Sequence, residues 1–229
     1  MDNVKKHFEE EAKEFDGKIL KLVPLYGEMI DALVTAIPFD RQKSFKVLDL
    51  GCGTGEISKR IKEKFPNSKI SCLDFAENMI ELAKIKLHEY NDVTYYAGDF
   101  KDFKFPRKYD AVVSSLALHH LITDDDKKQV YKKIFDNLLP GGVFYNADVV
   151  LGSNDYLQEL YLIKWKEFMT KNVSVEYVEK EVMPKYYDED HPARLTDHIK
   201  WLTDIGFKDV DVIWKYYMGA VYGGVKKIP

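Results

Sequence analysis

At 229 residues, with 45% apolar and 31% charged residues and a formal charge of −4, the chain has the composition of one medium globular domain, which excludes a fibrous or disordered polypeptide. No apolar run approaches the roughly 20 residues of a membrane span, and MDNVKKHFEEEAKEF lacks the apolar centre of a secretory signal, so a cytoplasmic protein with no membrane partner is expected. Lys plus Arg number 34 against 38 Asp plus Glu, a balance that gives no global attraction to nucleic acid.

Val4, Phe8, Ala12 and Phe15 recur at helical spacing, and a second helical stretch over 18–37 is interrupted near Pro24. From Phe45 the texture changes. FKVLDL reads as a short buried strand, Gly51 to Gly55 as a glycine turn, and Glu56 to Phe65 as a helix stopped by Pro66 and Asn67. The same grammar recurs as KISCLDF, a helix over 77–90, the strands VTYYA and YDAVVSSLAL, a helix over 124–138 and the strand GVFYNADVV. Strands separated by helices imply an α/β fold, a parallel sheet covered on both faces.

After Gly152 the alternation breaks. Leu157, Leu160, Tyr161, Trp165 and Phe168 mark an amphipathic helix, and the polar stretch beyond it ends in the irregular MPKYYDEDHPA. A helix over 195–205, a stop at Gly206 and two strands, DVDVIWKYY and AVYGGVKK, close the chain as an antiparallel hairpin. A single domain is expected, with a helical cap over 1–40, a core over 45–150, a helical insertion over 152–194 serving as a lid, and the closing helix and hairpin over 195–229. Lys127, Lys128, Lys132 and Lys133 read as a solvated helix face.

Ligands of open parallel sheets sit beyond the carboxyl ends of the strands, at the switch in strand order, which points to 49–56. A dinucleotide fingerprint requires glycine at position 56, where this chain has Glu56 at a helix N-terminus. A carboxylate there, with Asp49 nearby, favours a ligand with positive charge and no phosphate. Asp74 ends the second strand 23 residues after Gly51, the distance at which an acidic side chain reaches a ribose; a cap is the competing reading. Gly98, Asp99 and Phe100 set a carboxylate beside an aromatic face, as an adenine requires.

VLDLGCGTG, Asp74, GDF, YDAVVSSLALHHL and LLPGGVF together resemble the successive motifs of class I S-adenosylmethionine-dependent methyltransferases over about 45–150. The resemblance implies a Rossmann-like sandwich, a seven-stranded, mostly parallel sheet with an antiparallel last strand, and S-adenosyl-L-methionine as cofactor. It further implies that Gly51 and Gly53 pass the methionine part, that Asp49 helps place its amino group, that Asp74 takes the ribose and that Asp99 with Phe100 takes the adenine. Phe75 and Met79 pack the other adenine face or the core, and Ser115, ending the fourth strand, joins the cofactor residues. The FD and VPLY segments and the ending HIKWLTDIGF with KYYMGAVYGG are similar to the tRNA wobble-uridine branch and its carboxy-S-adenosylmethionine synthase. On that similarity Tyr26 contacts cofactor, and Arg194 or His191 occupies the place of a carboxylate-gripping arginine.

Methyl transfer is an in-line displacement at a sulfonium carbon, so placement and a dry pocket supply most of the catalysis. A base is needed only when the acceptor keeps its proton, and histidine is suited to that role. His119 and His120, after the fourth strand, are the candidate catalytic pair, with packing as their alternative role. Asp148 faces the expected cleft or caps a loop. His191 and His198, near Asp188, Glu189 and Asp190, match no ligand spacing and read as solvated polar groups, so no metal is expected. Cys52 and Cys72 read as small apolar fillers. The leading expectation is a methyltransferase acting on a small molecule, with tRNA modification, carboxylated-cofactor chemistry and a non-catalytic cofactor-binding protein as alternatives.

Overall fold

The computed structural model describes Lys5 and residues 14–228. Val4, Phe8 and Ala12 of the expected first helix lie outside the described residues. Helices α1 (Phe15–Leu22) and α2 (Tyr26–Ala36) are separated at Pro24, where a missing backbone N–H and a left-handed Leu25 (φ 53°) end one helix and begin the next.

Seven strands follow: β1 (Lys46–Leu50), β2 (Lys69–Asp74), β3 (Val93–Ala97), β4 (Tyr109–Ser115), β5 (Leu138–Val149), β6 (Lys208–Tyr216) and β7 (Gly219–Val225). They form one sheet in the order β3-β2-β1-β4-β5-β7-β6, and only β7 runs against its neighbours. The fold is thus the seven-stranded Rossmann-like sandwich that the motif order implies. Because β1 pairs with both β2 and β4, the switch in strand order lies at its carboxyl end.

Side chains alternate across the sheet. On β1, Val47 enters one core, whereas Leu48 and Leu50 enter the other. The first core is covered by α2, α3 (Glu56–Lys64) and α4 (Glu77–Lys86), through Ile30, Leu33, Ile57, Ile61 and Ile80. The second is covered by α5 (Asp124–Asn137) and, later in the chain, by a helix over Leu195–Ile205, through Val130, Ile134 and Leu202. Each such buried aliphatic side chain contributes about 1.5–3 kcal/mol, which fixes the layers and the strand ends with them. Lys127 departs from the solvated-face reading: it is buried, and its ammonium donates to the Leu121 carbonyl at 2.5 Å. Its three charged companions are on the more exposed faces of α5.

The segment 152–194 carries α6 (Asp155–Met169) and a helical run over 175–189 that ends in α7 (Met183–Glu189). MPKYYDEDHPA is therefore helical in its first half, not irregular. Pro184 stands in the first turn of α7, directly after the π-helical turn Val178–Val182 of the same run. Met169, Val178, Met183 and Tyr186 pack with Met218 as a separate small core, and the Trp165 indole donates to the Leu22 carbonyl of α1 at 2.7 Å. Helix α8 (Leu195–Ile205) ends at Gly206, which is left-handed at φ 119°.

Candidate active site

The turn after β1 is built on its own backbone. Gly51 and Cys52 donate their N–H groups to the Leu73 carbonyl at 2.8 and 3.0 Å, and Gly53 donates to one Asp74 carboxylate oxygen at 2.8 Å. The other Asp74 oxygen accepts from Ala76 N at 2.9 Å. Asp74 therefore locks the glycine turn to the next strand end, the capping role weighed for it, while its residue also lines a cavity over the turn. That cavity, about 60 Å³, is bounded by Tyr26, Gly51, Gly53, Asp74, Phe75, Met79, Phe100 and Ser115 among others.

Eight of the ten sequence-nominated cofactor residues thus converge on one space. Asp49 and Asp99 do not line it. Asp49 is fully buried beneath the turn, with one oxygen accepting from Ser58 at 2.6 Å and the other without a partner. Burial, helped by the nearby Asp74 charge, pushes its carboxyl up to about 7. Asp99 accepts from Lys101 N at 2.8 Å and organises its own turn. The Glu56 carboxylate, expected to repel phosphate, is paired with Arg60 at 2.9 Å and Lys86 at 3.4 Å, so its charge is largely balanced within the protein. Lys86 also donates to Asp16 and Thr54, fastening α1 over the turn.

A second cavity of about 210 Å³ adjoins the first, and both are bounded by Phe15, Leu116 and His120. Its walls come from α1, α6, the run over 175–189 and the β6–β7 turn. Tyr161, Trp165, Tyr177 and Tyr186 supply an aromatic side, and Lys18, Lys164 and Lys185 bring cations to the boundary. Tyr161 and Trp165 were legible as an amphipathic stripe. The contributions of Tyr216 and Tyr217 were not, because the hairpin's turn reaches this end of the sheet only through the pairing of β7 with β5.

A buried polar chain leads to this junction. His198 Nδ1 lies 2.8 Å from the Tyr131 hydroxyl, which lies 3.0 Å from that of Tyr222. The Asn146 amide donates to Tyr222 at 2.9 Å and to Asp148 at 3.1 Å, and Asp148 meets His119 Nδ1 at 2.5 Å. Asp190 completes the cluster, at 3.4 Å from His119 Nε2 and 3.3 Å from His120 Nδ1. His198 and Asp190 are thus buried or nearly so, not solvated: His198 is 3% exposed and the Asp190 side chain 18%. His191 contributes backbone, its N–H donating to the His119 carbonyl at 2.9 Å. The sequence signal for the chain was Asn146 and Asp148, two polar residues at strand period in an otherwise apolar strand.

Burial by itself would push the His119 imidazole down, but the carboxylates of Asp148 and Asp190 overcome it and hold it up at about 10. For His120 burial wins, reinforced by the neighbouring His119 charge, and its imidazole is pushed down to about 3. Burial would raise Asp148 and Asp190, yet the His119 cation holds both below the usual carboxylate value. At neutral pH the adjacent histidines therefore differ: His119 is an imidazolium between two carboxylates, and His120 is neutral.

Residues 47–142 match a family model described as a methyltransferase domain. Over this stretch, under half of its length, the chain is similar to methyltransferases. The chain is 28% identical over 187 residues to malonyl-[acyl-carrier protein] O-methyltransferase 2 of Ilyobacter polytropus, covering 80% of this chain and 68% of that protein. Against the corresponding protein of Bacillus cereus it spans about half, 53%. It is 24% identical to the carboxy-S-adenosyl-L-methionine synthase of Nautilia profundicola, over 93% of this chain and 91% of that one. The structure of human N-acetylserotonin methyltransferase in complex with S-adenosylmethionine superposes with a TM-score of 0.64 at 20% identity, covering 96% of this chain and 57% of that one.

The chain places its switch-point turn, its smaller cavity and the His119–His120 pair at one end of the sheet. Arg194, offered as a grip for a carboxylated cofactor, lines neither cavity, and neither does His191. Both cysteines are free and buried; Cys52 also borders the smaller cavity. No helix among the described residues is long and apolar enough to cross a membrane.

Proposed function

We propose that the chain transfers a methyl group from S-adenosylmethionine to a small, largely aromatic or apolar acceptor held in the larger cavity. The observation that carries this reading is the shared boundary of the two cavities at Phe15, Leu116 and His120. A cofactor held over the turn would face the larger cavity across that boundary, and in-line displacement needs the acceptor on the side of the methyl away from the sulfur.

In this reading Gly51 and Gly53 let the backbone approach the methionine part, Asp74 accepts from the ribose hydroxyls, and Phe75, Met79 and Phe100 enclose the adenine. Tyr26 and Ser115 close the methionine end. Asp49 acts from beneath the turn as its electrostatic support. The sulfonium charge disperses toward the acceptor and the leaving thioether is neutral, so no leaving-group acid is required. Of the pair only His120 is unprotonated, and burial holds its imidazole at about 3, too weak a base to take a firmly held proton. Acceptors that need no base are therefore favoured, with His119 and Asp148 holding the site in register. The segment 152–194 with α1 serves as the lid that excludes water.

Calorimetry with S-adenosylhomocysteine tests the cofactor site, with binding expected. Incubation with methyl-labelled cofactor and a fractionated metabolite mixture tests turnover; absence of any enzyme-dependent labelled product would leave a binding role only. The near full-length similarity to a carboxy-S-adenosylmethionine synthase supports a second reading, in which the cofactor itself is the product. Mass spectrometry of ligand released from the purified protein separates the two, because that product carries an extra carboxylate. Salt-sensitive binding of tRNA would instead favour the nucleic-acid alternative.

A further inference from the structure

His119 and His120 lie in the short 3-10 turn Leu118–His120 after β4, Asp190 follows α7, and all three border the larger cavity. One ligand-capable atom from each residue falls within 4.8 Å of the other two. Asp190 Oδ1 stands 3.4 Å from His119 Nε2 and 3.3 Å from His120 Nδ1, an atom that also lies 3.2 Å from the Glu189 carbonyl, so coordination there exchanges that hydrogen bond for a metal bond. Donor atoms bound to one cation at about 2.0–2.2 Å in tetrahedral geometry are separated from each other by about 3.3–3.6 Å, and both spacings fall in that range.

A second feature points the same way. Metal-binding histidines usually donate their other ring nitrogen to a carboxylate, which fixes the ring and presents the free nitrogen to the cation. His119 has that arrangement, with Nδ1 on Asp148 at 2.5 Å and Nε2 facing Asp190. Asp148 is itself fixed by the Asn146 amide and by Val149 N. Two imidazoles and one carboxylate on a cavity wall leave coordination positions open to that cavity, and this donor set suits a divalent d-block cation over calcium or magnesium, which prefer all-oxygen cages.

We propose that His119, His120 and Asp190 bind one divalent d-block cation, of the zinc or cobalt type, at the wall of the larger cavity. The open positions then take an oxygen of the acceptor, so the acceptor class becomes a molecule with a hydroxyl or carboxylate donor beside an apolar or aromatic body. That assignment of the acceptor rests on the methyl-transfer reading; the cation site itself does not. The competing arrangement is a metal-free cluster in which the proton on His119 alone holds the two carboxylates together.

The test is titration of the chelator-treated full chain with Co2+, read by visible ligand-field absorption, with each variant's fold checked by circular dichroism. The expected result is one equivalent of Co2+ with the intense bands of a four- or five-coordinate nitrogen–oxygen site. Asp190→Asn should remove those bands, and Asp148→Asn, which touches only the orienting shell, should weaken binding by about 10–100-fold. No bands in the wild-type chain at millimolar Co2+ would overturn the proposal whether or not any variant folds, as would bands unchanged in a folded Asp190→Asn protein. S-Adenosylhomocysteine binding measured on the same sample keeps the outcomes apart: cofactor bound without Co2+ sinks the cation site alone, and Co2+ bound without cofactor sinks the methyl-transfer reading alone.

Discussion

Gly51 and Ala117 face each other across the switch point so closely that a Cβ on Gly51 would lie 2.4 Å from the Cβ of Ala117. Gly51 also stands at φ +72°, in the left-handed region. Gly51→Ala should therefore cost about 2 kcal/mol or more of stability, from overpacking and from strain, as well as cofactor binding. Gly53 is left-handed too, at φ +51°, but an added Cβ there meets nothing within 4 Å. Gly53→Ala should cost only about 1 kcal/mol of stability yet still lower S-adenosylhomocysteine affinity. Denaturant unfolding paired with calorimetry checks both, and equal stability losses would contradict the contrast.

Asp74 holds two backbone N–H groups, those of Gly53 and Ala76. Its replacement by Ala leaves both without their carboxylate and removes the proposed ribose acceptor. Stability should fall by roughly 2–4 kcal/mol and S-adenosylhomocysteine affinity by at least about 10-fold. Unchanged affinity in a folded variant would assign Asp74 to the turn alone.

Trp165 ties α6 to α1 through the 2.7 Å bond to the Leu22 carbonyl. Trp165→Phe keeps most of the aromatic surface but leaves that carbonyl without its donor, at a cost of about 1 kcal/mol. If the segment over 152–194 closes the larger cavity, limited proteolysis should cut it faster in the variant than in the wild-type chain, and added cofactor should slow the cleavage.

His198 is buried against Tyr131 and Tyr222, and burial pushes its imidazole down to about 4 from 6.5. A base with a lowered folded-state pKa binds fewer protons folded than unfolded, so stability is intact above about pH 6.5 and falls as the pH drops toward 4. The loss from this residue should reach a few kcal/mol, about 1.4 for each unit of displacement. His198→Gln should flatten that acid-side decline. Parallel pH–stability curves for variant and wild type would show that other groups carry it.

The sequence by itself determined the order of strands and helices, the glycine turn and the parallel core, because these depend on local chemistry. Period-two apolar strands, Pro24 as a break, Gly206 as a left-handed stop and a helix beginning at Glu56 each act within a few residues of themselves. Gly51, Gly53, Asp74, Phe75, Phe100 and Ser115 share one space for the same reason: the strand ends of a doubly wound sheet converge on its switch point whatever lies around them. The tertiary structure decided which charges meet. Asp148 and His119 are 29 residues apart, and His120 and Asp190 are 70, separations that no spacing rule spans. Whether a histidine is a cation, a neutral base or a buried bond partner depends on burial and on carboxylates from other elements. His119, His120 and His198 differ in those surroundings alone.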